Sequence, residues 1–308
     1  MGERASGLAW IEHRIPNPAA AGSNPASPAS RKLSSSGGRL RPRERFLRLP
    51  PARARREWSR YEGTPQRTLW LALRRRFLSR ALRALPSHPP AILEVGPGPG
   101  RFSDLLVATG RRVILLDLSP AMIREGRSLR PGASPGGPHW VLGDALRLPV
   151  RPGSLAAVVA LGNVLGFGGP RAGLMLREWK ESLAPGGVWV LETTLGAPPQ
   201  DRSSGRRAPW ARPGTRRGLA PREATGLLRF SREEVDHWID RLGWELVEAT
   251  PVAPRYGGSP EAARQALTRA GGDWKTLLDE EERAGRDGAD RDLPGPWLFR
   301  GRARAGAE

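Results

Sequence analysis

The chain has 308 residues, with 50 Lys and Arg against 31 Asp and Glu, a net charge of +19 and no cysteine. This length suffices for one large domain with a sizeable core. The lack of cysteine excludes disulfides and thiolate metal sites, and four scattered histidines predict no metal site. Every apolar run is shorter than the ~20 residues that span a bilayer, and no signal-peptide pattern follows the N-terminus. We therefore expect a cytoplasmic protein without membrane association.

The positive charge is concentrated before residue 91. Residues 1–90 carry 19 basic and 5 acidic side chains, whereas residues 91–308 carry 31 and 26. A basic arm of this kind can bind nucleic acid. Only three of the basic residues are lysines, and the chain is otherwise rich in Arg, Ala, Gly and Pro, the residues of GC-rich codons. We therefore favour compositional bias as the origin of the charge.

Residues 1–56 are predicted to form a disordered extension, because they are rich in Pro, Ala, Ser, Gly and Arg. The run Ala21–Ala26, A-G-S-N-P-A, is what the T-arm of a tRNA gene yields when it is translated in one frame. Our hypothesis is that the true start lies downstream and that the extension is an artefact of start-site choice. The folded domain is predicted over residues 57–303, followed by a tail of 304–308.

A helix with an apolar stripe is predicted from Trp58 to Leu85. Tyr61, near its start, is predicted to pack in the core. The next predicted element is a short apolar strand, Ala91–Val95, that includes Glu94. It leads into a glycine-rich turn with Gly96, Gly98 and Gly100, and then into helical spacing from Arg101 to Gly110.

A strand that enters such a turn and then a helix is typical of nucleotide binding in doubly wound folds. In a dinucleotide fingerprint the third glycine follows the second by three places, and here that place is Arg101. The spacing E-x-G-x-G-x-G therefore argues against a dinucleotide.

Two further predicted strands end near carboxylates. The strand 113–116 ends at Asp117, and the strand that begins at His139 ends at Asp144. Because ligands of open α/β sheets bind at the carboxyl ends of the strands, we expect both acids beside the glycine turn. A carboxylate such as Asp117 can accept hydrogen bonds from both hydroxyls of a ribose.

The segment 155–161 is apolar on both faces, as in a central parallel strand, and leads to Asn163. Asn163 either contacts a substrate or turns the chain. A helix is predicted over 171–183, with a stop at the P-G-G segment 184–187 and a fifth strand over 188–191. Glu192, which follows, either positions or deprotonates an acceptor or has a structural role, and we favour the structural role.

The last third of the chain is predicted to contain two insertions, 196–228 and 256–292, the second with two short helices. Ser231 and Glu234 form a predicted capping box at the start of a helix. The sixth strand is predicted over 244–252 and the last over 296–303, paired antiparallel with each other.

The glycine turn, Asp117, Asp144 and the P-G-G segment, in this order, resemble the class I S-adenosylmethionine-dependent methyltransferases of the methyltransferase type 11/25 kind. The resemblance implies an α/β fold, a Rossmann-like doubly wound seven-stranded mixed sheet with helices on both faces and an antiparallel last strand. It also implies S-adenosyl-L-methionine as the cofactor.

The resemblance further implies roles for individual residues. Asp117 would bind the ribose, Leu118, Met122, Asp144 and Ala145 the adenine, and Asn163 would lie near the sulfonium. The implied cofactor-binding residues are Glu94, Gly96, Gly98, Gly100, Asp117, Leu118, Met122, Asp144, Ala145, Leu161 and Asn163. Asn163 and Glu192 are the candidates for catalysis, and the motifs contain no acid–base pair.

Three functions follow from the sequence. The favoured one is methyl transfer to a small-molecule acceptor, and an acceptor that is nucleophilic when bound, such as an amine, fits the missing acid–base pair. The second is an RNA or protein methyltransferase that uses the arginine-rich segments. The third is a non-enzymatic module that binds a nicotinamide cofactor. The sequence leaves the acceptor and the oligomeric state open.

Overall fold

A seven-stranded sheet forms the centre of the structure, a computed structural model that describes residues 47–59, 63–129, 137–196, 228–287 and 295–304. The strands are β1 Ala91–Val95, β2 Arg112–Asp117, β3 His139–Leu142, β4 Leu155–Ala160, β5 Leu183–Leu195, β6 Trp244–Pro251 and β7 Gly295–Ala303. Their order across the sheet is β3-β2-β1-β4-β5-β7-β6. Strands β1 to β5 are parallel, and β7 is antiparallel to both β5 and β6. The predicted fold class is therefore confirmed, including the antiparallel last strand.

The described residues contain nine α-helices. They are α1 Pro51–Ser59, α2 Pro65–Leu82, α3 Ser103–Val107, α4 Pro120–Ser128, α5 Val164–Gly168, α6 Ala172–Ser182, α7 Arg232–Arg241, α8 Pro260–Arg269 and α9 Trp274–Arg286. One face of the sheet packs on α5, α6 and α7, and the opposite face on α2, α3, α8 and α9. Because successive strand residues point to opposite faces, Leu93 joins the first core and Ile92 the second.

The N-terminal helical region differs from the prediction. It consists of two helices, and α2 begins where the Thr64 hydroxyl accepts a hydrogen bond from the Arg67 amide and Pro65 occupies the first turn. Residues 51–56 belong to α1, so the predicted disordered extension is wrong at its C-terminal end. Residues 1–46 and Tyr61 lie outside the described residues.

Two other element boundaries also differ. The helix after the glycine turn is shorter than predicted, because α3 has only five residues. Strand β5 is longer, because the chain is already extended at Leu183, which pairs with Leu155 of β4. The register then shifts, so that Ala157 pairs with Val188. The P-G-G segment 184–187 therefore ends α6 but forms an irregularity within β5, not a gap before it.

The C-terminal part follows the prediction closely. The capping box is present, with the Ser231 hydroxyl accepting from the Glu234 amide and the Glu234 carboxylate accepting from the Ser231 amide. The two helices predicted within 260–284 are α8 and α9. No helix of the described residues is long and apolar enough to cross a membrane.

Arginines on α2 are paired with acids from neighbouring elements. Arg76 contacts Asp279 of α9 at 2.6 Å, and Arg80 contacts Glu282 of α9 at 2.6 Å and Glu248 of β6 at 2.9 Å. Partly exposed pairs of this kind contribute about 0–1 kcal/mol each. They neutralise much of the charge of α2 within the fold.

Gly301 of β7 lies where the sheet packs closely on its core. The space that a Cβ would occupy there is filled by the carbonyl oxygen of Glu245 and the indole ring of Trp189. We expect Gly301→Ala to lower the free energy of unfolding by about 1–3 kcal/mol, measured by urea denaturation. The control is Gly258→Ala, where nothing lies within 4 Å of the added carbon. Equal stability of the two variants would contradict this packing.

Candidate functional site

The glycine turn follows β1 at the carboxyl edge of the sheet. Gly96, Gly98 and Gly100 have positive φ angles of 65°, 58° and 81°, a backbone region that side chains disfavour. A Cβ at Gly96 would lie 2.8 Å from Cγ2 of Val164 on α5, whereas nothing lies within 4 Å of a Cβ at Gly98. The turn therefore packs tightly at Gly96 and presents open backbone at Gly98.

Asp117, the last residue of β2, lies against this turn. Its Oδ2 accepts a hydrogen bond from the Gly98 amide at 2.9 Å, and its Oδ1 accepts one from the Ser119 amide at 2.8 Å. Burial raises the pKa of Asp117 to about 6, although these backbone hydrogen bonds lower it. The Leu118 amide is a third backbone donor to this carboxylate. Because the two oxygens together can accept about four hydrogen bonds, acceptor capacity remains for a ribose hydroxyl.

Asp144 lies at the same edge of the sheet, beyond the neighbouring strand. Leu142 of β3 is the register partner of Asp117, and the Gly143 amide donates to the Asp117 carbonyl at 3.0 Å. Asp144 is half-buried, and its Oδ1 accepts from the Leu146 amide at 3.2 Å. The glycine turn and both acids thus share one edge, as the sequence predicts.

The residues assigned to the adenine differ in exposure. Leu118 and Ala145 are half-buried at this edge. Met122, in the first turn of α4, is buried and packs with Ala121 and with Ala54 of α1. The packing partners described for Met122 are protein side chains. The assignment of Leu118, Met122 and Ala145 to the adenine stays a prediction.

Arg101, directly after the glycine turn, ties helix α1 to the site. Its guanidinium donates to the Glu57 carbonyl at 2.6 Å and to the Trp58 carbonyl, and it lies 5.0 Å from the centroid of the Trp58 ring. Sequence reasoning missed this contact, because nothing in the pattern links Arg101 to a segment more than forty positions earlier.

The turn after β4 contains two consecutive residues with positive φ, Gly162 at 86° and Asn163 at 66°. The Asn163 side-chain oxygen accepts from the Thr193 hydroxyl at 3.2 Å and from the Thr194 amide at 3.1 Å. Leu161 before them is buried, while Gly162 is exposed. The geometry favours the turn-forming interpretation of Asn163.

Glu192 of β5 is buried in an ion pair with Arg74 of α2. The Arg74 Nε donates to Oε2 at 2.7 Å and Nη2 donates to Oε1 at 2.6 Å, and the two side chains are 5% and 3% exposed. The Gly162 amide also donates to Oε2, at 3.0 Å. These contacts support the structural role that the sequence favours for Glu192.

Sequence reasoning missed Arg74 as a site residue. Its position carried a signal, since it lies three and four places before Phe77 and Leu78 on the buried stripe of α2. An arginine on such a stripe requires a buried acid as its partner.

Three acids at this edge lie on the face of the sheet that packs on α2. Ile92, Leu115 and Val190 belong to the core shared with α2. Glu94, Asp117 and Glu192 each follow one of them by two places, and therefore point to the same face. All three acids are buried. Among the described residues, no group of His, Asp and Glu is arranged to hold a metal ion.

Comparison with known proteins relates this edge to a known kind of site. Residues 92–187, which include the glycine turn and both acids, match the family model described as "Methyltransferase domain". The malonyl-[acyl-carrier protein] O-methyltransferase of Methylococcus capsulatus is 35% identical over 118 residues, which are 38% of this chain and 42% of that protein. The demethylmenaquinone methyltransferase of Thermobifida fusca is 40% identical over 67 residues, 22% of this chain and 28% of that protein. The chain thus spans less than half of these relatives.

A solved structure shares the fold over most of the chain. The phosphoethanolamine N-methyltransferase 2 of Haemonchus contortus, in complex with S-adenosyl-L-methionine, superposes with a TM-score of 0.57 at 14% identity. The match covers 87% of this chain and 61% of that one. Residues 92–187, with the glycine turn beside Asp117, are thus similar to the domain of a class I S-adenosylmethionine-dependent methyltransferase, and the chain shares its fold with this solved structure.

Proposed function

We propose that this protein transfers a methyl group from S-adenosyl-L-methionine to a small-molecule acceptor. The observation that carries the proposal is the contact between Asp117 and Gly98, at an edge where the Gly98 backbone faces open space. The name of the relative that acts on demethylmenaquinone supports this acceptor class, whereas the other relative acts on a malonyl group carried by a protein.

The residues present at this edge fit the cofactor. In this proposal Asp117 accepts hydrogen bonds from the ribose hydroxyls, Asp144 accepts one from the adenine amine, and the turn at Gly98 lets the ligand approach the backbone. When bound, S-adenosylmethionine supplies an electrophilic methyl group on a sulfonium.

The contribution of the chain to the reaction is orientation of the reactants. Glu192 is held by Arg74 and by the Gly162 amide, so we do not assign it as a base. Holding an acceptor close to the methyl group and in line with it accounts for much of the acceleration of such a transfer. This mechanism requires an acceptor atom that is already nucleophilic, such as a neutral amine.

The alternative acceptors were RNA and protein, bound by the arginine-rich segments. Residues 1–46 and 197–227, which contain most of those arginines, lie outside the described residues. Arg76 and Arg80 of α2, which the structure describes, are paired with acids of the same fold. We therefore retain the small-molecule acceptor.

The acceptor class is tested with methyl-labelled S-adenosylmethionine. We expect incubation of the protein with a bacterial extract to place the label in the low-molecular-weight fraction. The matched control is Asp117→Ala in the same extract, which should transfer little label. Label that enters only RNA or protein would contradict a small-molecule acceptor.

The role of Asp117 is tested by binding. We expect Asp117→Ala to weaken S-adenosylmethionine binding more than tenfold, about 1.4 kcal/mol, in isothermal titration calorimetry. Asp104→Ala is the control, because Asp104 is an exposed acid of α3 that pairs with Arg75. An unchanged dissociation constant for Asp117→Ala would contradict the cofactor assignment, and binding of NADH by the wild type would support the nicotinamide alternative.

The pKa of Asp117 predicts a pH dependence of cofactor binding. Because that pKa is raised to about 6, the carboxylate is ionised above this pH and protonated below it. Protonation removes acceptor capacity for the ribose, so affinity for S-adenosylhomocysteine should fall as the pH is lowered through about 6. Calorimetry between about pH 5 and pH 8 measures this effect. Asp117→Asn should bind weakly and without this dependence, and a flat wild-type profile would contradict the prediction.

A further inference from the structure

We propose that Glu192, held by Arg74, is a positioning residue for methyl transfer. In this proposal it fixes the peptide between Leu161 and Gly162, at the turn after β4, in one orientation beside the bound methyl donor. The proposal rests on the proposed function. It adds two residues, Arg74 and Glu192, that act through the backbone of the turn after β4.

The Glu192 carboxylate is constrained by both of its neighbours. Arg74 binds its two oxygens through two parallel N–H donors, at 2.7 and 2.6 Å, which fixes the plane of the carboxylate. In that position Oε2 also accepts from the Gly162 amide at 3.0 Å. The ion pair thus does more than neutralise charge, because it directs one carboxylate oxygen at a single backbone amide.

This hydrogen bond determines where the Leu161 carbonyl points. The N–H and C=O of a trans peptide point in opposite directions, so the carbonyl of Leu161 is directed away from Glu192. Gly162 is exposed, and nothing lies within 4 Å of the position of a Cβ there. The peptide is therefore anchored through its N–H, and it lies two residues before Val164, whose side chain packs on Gly96 of the glycine turn. A carbonyl dipole held in one orientation is a preorganised site for a positive charge.

The rest of the turn is anchored separately. Asn163 is held through its side-chain oxygen by Thr193 and Thr194 of β5, and not by Glu192. Loss of the contact between Glu192 and Gly162 therefore frees the peptide before Gly162 while the start of α5 stays in place. This separation makes the effect of Glu192 local and measurable.

Two ligands that differ in charge test the orientation of this peptide. S-adenosylmethionine carries a positive charge at its sulfonium, and S-adenosylhomocysteine is neutral at the same atom. Both share the adenosyl group, so the ratio of their dissociation constants isolates the charged end. A fixed Leu161 carbonyl should favour S-adenosylmethionine, and a released one should not.

The experiment compares two substitutions of Glu192 with opposite defects. Glu192→Asp keeps the charge that Arg74 requires but withdraws the carboxylate from Gly162 by one methylene. Glu192→Gln keeps the reach to Gly162 but removes the negative charge that pairs with the buried guanidinium of Arg74. We expect Glu192→Asp to shift the ratio of dissociation constants by about fivefold against S-adenosylmethionine, and Glu192→Gln by less than about twofold. We expect the opposite order for Tm, with the larger loss in Glu192→Gln.

Arg80→Met is the matched control. Arg80 lies on the same helix and also binds two acids, Glu248 and Glu282, but these belong to β6 and α9. This variant should lower Tm without changing the ratio. Should Glu192→Gln not fold, Arg74→Lys replaces it, because lysine keeps the cation but loses the two parallel donors that fix the carboxylate plane, so the ratio should then shift against S-adenosylmethionine as in Glu192→Asp.

The outcomes separate this inference from the proposed function. If the ratio is unchanged in Glu192→Asp, or if it follows the order of Tm across the variants, the ion pair is merely structural and the proposal is overturned. If the wild type binds neither ligand, the proposed function fails, and the inference fails with it.

Discussion

The hydrogen bond that Asp117 accepts from the Gly98 amide depends on the register of β1 and β2, and the rest of the site is placed relative to it. Both strands are buried on both faces, so the alternation of their side chains specifies the register only weakly. Contacts at the ends of the two strands complete the specification of this register. The Gly96 amide donates to the Leu116 carbonyl at 2.8 Å, and Val95 pairs with Leu116. A shift of one residue would break both contacts and turn Asp117 to the other face of the sheet.

Polar groups buried at this edge are costly to the fold. Burial disfavours the ionised form of Asp117, as its raised pKa shows. Burying the pair of Arg74 and Glu192 removes two charges from water, and leaving one of them unpaired in such a site typically costs about 3–5 kcal/mol. The strands that lead to this edge are apolar along most of their length. Costly groups gathered where parallel strands end are typical of a functional site.

Much of this arrangement could be predicted from the sequence. The apolar runs that lead to Asp117 and Asp144 and the glycines after β1 are local patterns, and parallel pairing brings their ends to one edge. The ends of elements were harder to predict. The P-G-G segment 184–187 has the local signals of a break, but pairing with β4 draws Leu183 into β5.

Long-range partners of single side chains could not be predicted. Arg74 and Glu192 are 118 positions apart, and no local pattern joins them. The same holds for Arg101 and the carbonyls at the end of α1. In each case an arginine reaches a partner that only the folded chain brings near. The capping box at Ser231 was predictable because both of its members lie within one turn of helix.

The shared direction of Glu94, Asp117 and Glu192 has a consequence for which nucleotides this crevice admits. The guanidinium of Arg74 compensates Glu192, and Asp117 becomes anionic at neutral pH. A dinucleotide would bring two phosphate charges near the carboxylate of Asp117, where like charges repel. A ligand whose reactive end is cationic meets no such repulsion. The alternation of side chains along these strands thus places the carboxylate of Asp117 beside the glycine turn, where a cationic group of a ligand is favoured over an anionic one.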